Sequence, residues 1–102
     1  MSCLKLSQDK ETIPAAPSNL QAQVYGPHNV AATWIDNSNN EAGFEVEVKT
    51  DSGPFEPWFS PVKDVTTYYN DNLNIGHTYT FRVRASNAAG YSAYSNEATA
   101  IL

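Results

Sequence analysis

Beyond Pro14 the chain alternates apolar and polar residues in short runs, broken by Gly, Pro, Asn and Asp clusters. Gly43–Thr50 is the cleanest run, with Phe44, Val46 and Val48 on one side and Glu45, Glu47 and Lys49 on the other. A period of two marks a half-buried strand, because successive side chains point to opposite faces. His77–Ser86 repeats the pattern: Tyr79, Phe81, Val83 and Ala85 face one way, and Thr80, Arg82, Arg84 and Ser86 the other. His28–Ile35 places Val30, Ala32 and Trp34 together, and Ser18–Gln23 does the same for Leu20 and Ala22. Phe55–Ser60 is confined to a sheet edge or bulge by Pro57 and Pro61, since proline donates no ladder hydrogen bond. Val65–Asp71 is a less regular strand, and Ser92–Ile101 closes the chain. Between the third and fourth runs, Asp51-Ser52-Gly53-Pro54 predicts a turn with Gly53 at positive φ. No stretch carries the 3.6-residue period of a helix. Seven short strands with one apolar face each predict two packed antiparallel sheets.

At 102 residues the chain holds one domain, expected over residues 14–102. Residues 1–13 are polar, lack periodicity and read as a flexible tail or linker. With 41% apolar and 12% aromatic residues, large rings must carry much of the core. Alternation assigns Trp34, Phe44, Tyr79, Phe81 and Val83 to that core. The formal net charge of −5, with six Lys and Arg in all, argues against a nucleic-acid partner. Nor is there a basic amphipathic stretch for an anionic membrane surface, or an apolar run approaching the roughly 18 residues of a membrane span.

Cys3 is the single cysteine and closes no internal disulfide. The apolar run expected before a lipid-modified cysteine is missing, which favours an incidental thiol. Met1–Leu6 is too short for a signal peptide, so the chain is expected to be intracellular or a piece of a longer exported protein.

Candidate chemistry is sparse. His28 and His77 lie at separate strand starts, without the convergent partners of a zinc site or a catalytic triad. The five glycines are scattered and build no phosphate loop. Asp36, Ser38 and Asn40 stand at the first, third and fifth places of a calcium loop, with Glu47 at the twelfth. The sixth place is Glu41 where glycine is needed, and Glu47 belongs to a strand, so a polar loop is the preferred reading. Carboxylates on solvent faces and loops are expected to keep ordinary pKa values. The expectation is therefore no catalytic residue, no metal and no cofactor. Among the remaining rings, Trp58 and Phe59 on the edge and Tyr91 after Gly90 have two readings. They stack on a sugar or dock a neighbouring domain, or they fold over the rim of their own sandwich.

Several residues together resemble the fibronectin type III family. Pro17-Ser18-Asn19-Leu20 is similar to the entry into its first strand, and Trp34 to its buried tryptophan. Leu73, Gly76 and Tyr79 match its L-x-x-G-x-x-Y turn, although position 75 is Ile where many members carry proline. Tyr79–Gly90 matches the long strand and following loop, and Ser92 and Ser95-Asn96 the start of the last strand. The resemblance covers about Pro14–Leu102. It implies an all-β, seven-stranded immunoglobulin-like antiparallel β-sandwich, in which Leu73 joins the core and the Tyr79 hydroxyl bonds back to the turn. It also implies that Glu45 and Glu47 face Arg82 and Arg84 across two strands, a face that reads either as a site for a charged partner or, preferably, as a solvated, self-neutralising surface. The wording of Trp34–Phe44 resembles bacterial and archaeal copies, which sit beside catalytic domains in secreted glycoside hydrolases and in surface proteins. The function so implied is a monomeric, non-catalytic spacer or interaction module of a secreted or cell-surface protein, whose partners are neighbouring domains. The alternative is a module that binds polysaccharide or protein through loop and edge aromatics.

Overall fold

The computed structural model describes residues 12–102; Cys3 and most of the expected tail lie outside the described residues. Eight strands follow one another: β1 (Ser18–Gly26), β2 (Asn29–Ile35), β3 (Gly43–Thr50), β4 (Glu56–Phe59), β5 (Thr67–Asn70), β6 (Thr78–Asn87), β7 (Gly90–Tyr91) and β8 (Ala98–Ile101). One sheet has the order β1-β2-β5. The other runs β4-β3-β6-β7, with β8 also paired to β6. All pairings are antiparallel.

The apolar sides of the alternating strands meet between the sheets. Leu20, Val30, Ala32, Trp34, Phe44, Val46, Val48, Tyr68, Leu73, Tyr79, Phe81, Val83, Ala85 and Ala100 form one buried cluster. Trp34 and Phe44 pack edge to face across the layers, with ring centroids 5.6 Å apart. The longest register joins β3 to β6, from Gly43 opposite Ser86 to Thr50 opposite Tyr79. At its start, Gly43 is required for space: a Cβ there would lie 2.7 Å from the carbonyl oxygen of Pro61. That carbonyl accepts a hydrogen bond from the Phe44 amide at 2.9 Å.

Eight strands stand where seven were expected: Gly90–Tyr91, read as loop, forms β7, and only Ala98–Ile101 of the expected Ser92–Ile101 run is strand. β7 pairs with Ser86 and Asn87, and β8 pairs with Thr78–Phe81, so both occupy the same side of β6. Between them the hydroxyls of Ser92 and Ser95 accept from the amides of Ala85 and Val83 at 2.8 and 3.1 Å. Side-chain oxygens take the place of ladder carbonyls here, so the β6 donors are satisfied without a continuous strand. The Asn96 side chain then clips the open edge to β1, bonding the amide and the carbonyl of Leu20 at 2.8 and 3.0 Å.

Two turns set the lower end. Gly76 has φ 90°, and the Tyr79 hydroxyl accepts from the Asn74 amide at 2.8 Å, which ties the turn to the buried ring. In the β3–β4 turn the positive φ falls on Asp51 (54°), not on Gly53. The reason is local bonding. Its carboxylate accepts from the Thr78 amide at 3.0 Å and meets His77 Nδ1 at 2.7 Å, which compensates an aspartate for the left-handed conformation.

The chain enters and leaves at opposite ends of the sandwich. The Thr12 carbonyl accepts from Asn40 and Asn87 in the loops at one end. Leu102 bonds the backbone of Gly76 and His77 at the other. Tyr79→Phe is expected to lower stability by about 1 kcal/mol, the worth of one hydrogen bond. Gly76→Ala should cost a similar amount through its positive φ, and urea denaturation of both variants checks these values.

Candidate functional site

The described residues enclose no pocket, so chemistry and contact must take place on open faces. The outer face of β3 and β6 is the most elaborate of these. Register places Glu45 opposite Arg84 and Glu47 opposite Arg82. The pairs close with N···O distances of 2.6 and 2.7 Å, and each Arg Nε also donates to the same carboxylate at 2.8 Å.

This face is self-neutralising, but it is not the solvated surface expected from alternation. Glu47 is only 7% exposed. Rings brought in from two other segments cover the ion pairs. The Arg84 guanidinium lies 3.6 Å from the Tyr91 ring centroid and 4.8 Å from that of Tyr94. Arg82 lies 3.8 Å from Tyr94 and 4.0 Å from Phe55, and Lys49 reaches Phe55 at 5.4 Å. The result is an alternating stack: Tyr91, Arg84, Tyr94, Arg82, Phe55, Lys49. Burial and the neighbouring Glu47 carboxylate raise the pKa of the Tyr94 phenol. Burial works against the charge on Arg84, but Glu45 outweighs it and raises the Arg84 pKa. Each ring–cation contact is worth about 0.5–1 kcal/mol when exposed and about 2 when dehydrated.

The other ring candidates divide. Phe59 folds over the rim and stacks on Tyr68 of β5, with centroids 4.7 Å apart, closing the gap between the two sheet edges. Burial pushes the Tyr68 phenol up to about 12. Tyr91 is half exposed but lies on Arg84. Trp58 is 46% exposed and stands at the register shift where β4 meets β3. Two further exposed rings, Tyr25 and Tyr69, escaped sequence reasoning. Their outward positions on β1 and β5 were the available signal, but alternation is weak in both runs.

A carboxylate group forms at the upper end, from a different set than the calcium spacing suggested. Glu47 is held by Arg82, whereas Asp36, Glu41 and Asp64 bring carboxylate oxygens within 4.8 Å of one another. Glu41 is the centre of the group and is only 6% exposed, which corrects the expectation of ordinary, solvated carboxylates. Its two oxygens accept from the Ser38 hydroxyl at 2.6 Å and the Asp64 amide at 3.1 Å. Burial alone would raise the Glu41 pKa, but these donors outweigh it and hold the group at about 2. Asp36 moves the other way, raised by burial and by the adjacent Glu41 despite the Ser38 amide it accepts from at 2.9 Å. The group thus fastens the β2–β3 loop to the segment after β4, with Glu41 fully served by protein donors. His28 and His77 are far apart in role. The first contacts the Leu73 carbonyl at 2.7 Å, and the second contacts Asp51.

Two antiparallel sheets of this order and a tyrosine-tied turn define an immunoglobulin-like β-sandwich. Within that class, the chain belongs to the fibronectin type III family, whose model, "Fibronectin type III domain", matches residues 15–101. Solved structures share the fold. The A168–A170 domains of titin align with a TM-score of 0.74 at 23% identity, over 87% of this chain and 32% of that one. The twitchin kinase region of C. elegans aligns at 0.76 and 20% identity, over 88% of this chain and 17% of that one. An Fn3-like protein from Clostridium thermocellum aligns at 0.73 and 23%, covering 86% and 92%. The chain therefore spans about a third or less of the two longer proteins. Fibronectin type III domains occur in multidomain chains as linkers or interaction modules and are generally non-catalytic.

Removing Arg82 strands a more deeply buried carboxylate than removing Arg84 does. Arg82→Ala is expected to cost about 3 kcal/mol and Arg84→Ala clearly less, as read from denaturation midpoints. Glu41→Gln is expected to lower stability at neutral pH by about 1–3 kcal/mol. A depressed carboxyl contributes stability that is complete above pH 4.5 and disappears as pH falls towards 2. Asp36 opposes this with stability lost as pH rises past 3.8, so the net acid loss is smaller than Glu41 alone would give. Thermal melts at several pH values should show that Glu41→Gln flattens the acid limb.

Proposed function

We propose that this domain is a non-catalytic spacer and interaction module of a larger secreted or cell-surface protein, orienting or docking the domains on either side of it. The observation that carries this reading is the placement of Thr12 and Leu102. Thr12 meets the Asn40 and Asn87 loops, and Leu102 meets the Gly76 turn at the far end of the same strands. A chain threaded end to end through a rigid sandwich sets a fixed separation between its neighbours. Titin and twitchin carry domains of this fold within longer chains, which supports the same arrangement here. The exported setting rests on the likeness of Trp34–Phe44 to bacterial and archaeal copies found in such proteins. The edges suit a solitary domain, since Pro57 within the exposed β4 and Pro61 just beyond it discourage strand addition.

The alternative is binding of carbohydrate or protein through Trp58, Phe59 and Tyr91, which stay 46%, 42% and 50% exposed. Phe59 is stacked on Tyr68 and Tyr91 on Arg84, which leaves Trp58 as the uncommitted ring of the three.

The spacer reading is tested in the longer polypeptide that carries the domain. Fluorophores on the two flanking domains should approach by about 30 Å when residues 14–102 are deleted, the length of a ten-residue strand. An unchanged separation would reject it.

A further inference from the structure

The outer face of the three-stranded sheet carries a second, unrelated arrangement of rings. Its strands are in register, with Gln21 opposite Thr33 opposite Thr67, and Gln23 opposite Ala31 opposite Tyr69. Ala31 is small enough for rings from both flanking strands to meet across β2. Tyr25 and Tyr69 do so edge to face, with centroids 5.9 Å apart and planes at 87°. They nevertheless remain 50% and 64% exposed.

The pair is also held in place. The Tyr25 hydroxyl donates to Asp71 Oδ1 at 2.7 Å, and Asn29 Nδ2 donates to the same oxygen at 2.8 Å. These bonds leave the second Asp71 oxygen facing no donor among the described residues. Asp71 therefore also raises the Tyr25 pKa. Such bonding does nothing for the core, because Tyr25, Tyr69 and Asp71 all lie outside it. It does fix the position of an exposed ring in advance, which lowers the ordering cost of binding.

Charge narrows the occupant. Strands β1, β2 and β5 contain no Lys or Arg; of the four described cations, Lys49, Arg82 and Arg84 belong to the other sheet and Lys63 to the segment between β4 and β5. Asp71 would repel an anionic polymer, and none of these three strands carries a cation to offset it. What the face offers is two aromatic rings set among amides (Gln21, Gln23), hydroxyls (Thr33, Thr67) and one carboxylate acceptor. A protein interface normally centres on a continuous apolar patch, whereas here the exposed Ile35 is separated from the two rings by Thr33 along β2. Pyranose rings with equatorial hydroxyls match it better: their axial C–H faces stack on aromatic rings, and their hydroxyls pair with amide, hydroxyl and carboxylate groups.

We infer that the Tyr25–Tyr69 face binds a neutral polysaccharide. The site is separate from Trp58, and binding there is compatible with the spacer reading without depending on it. The test is affinity gel electrophoresis of the full chain through hydroxyethyl cellulose, xylan and galactomannan, with polygalacturonate as the charged comparison. Retardation is expected in at least one neutral polymer and absent in polygalacturonate. Tyr69→Ala should weaken the retarding interaction about tenfold. Trp58→Ala should leave it unchanged. Tyr25→Phe, which keeps the ring but releases Asp71, should weaken it by a smaller factor. Because these rings lie outside the core, each variant is expected to keep the parental urea midpoint. Passage through all three neutral polymers without retardation overturns the inference. So does retardation that survives Tyr69→Ala, or equal retardation by polygalacturonate.

Discussion

The pairing of β3 with β6 is the constraint on which the rest of the sandwich depends. Eight residue pairs run along it, and each strand uses both of its faces. Inward, Phe44, Val46, Val48, Phe81, Val83 and Ala85 supply close to half of the buried cluster. Outward, Glu45, Glu47, Arg82 and Arg84 close two ion pairs under a cover of rings. A slip of one residue would exchange the two faces and bury four charges in the core. Charge and apolar patterning therefore select the same register, and each reinforces the other.

Much of this could be read from the residues alone. Inward alternation in Val30–Trp34, Phe44–Val48 and Tyr79–Ala85 depends on neighbours two positions away, and those runs are buried as their pattern implies. The Leu73–Gly76–Tyr79 turn is similarly local. What escaped sequence reading depends on segments distant in the chain. Alternation marks Glu47 as outward, and it is, but only the fold brings Phe55 and Tyr94 over its arginine partner. Glu41 looked like a defect in a calcium loop. It is buried because Ser38 and the Asp64 amide, 23 residues further on, satisfy its oxygens. The late start of the last strand turns on two serine hydroxyls replacing backbone carbonyls, a substitution that hydrophobic pattern cannot register.

The two sheets consequently differ in what they leave for other molecules. The five-stranded sheet uses its outer rings internally: Tyr91, Tyr94 and Phe55 lie on arginine, and Phe59 seals the edge against Tyr68. Its polar surface is largely committed to holding the domain together. The three-stranded sheet has no ion pairs to cover, so Tyr25 and Tyr69 remain open. The covered ion pairs thus sit with one layer and the most exposed tyrosine ring, Tyr69, with the other. That division suits a module which sets the spacing of its neighbours through its ends while presenting a face at its side.

Native-state hydrogen exchange measures the central claim most directly, because it ranks backbone pairings by the free energy needed to open them. Amides of Glu45, Glu47, Arg82 and Arg84, which face across the β3–β6 seam, should exchange only through global unfolding, with β1, β2 and β5 opening at equal or lower free energy. Faster exchange along β3 and β6 than along the three-stranded sheet would contradict the view that their shared register holds the sandwich together.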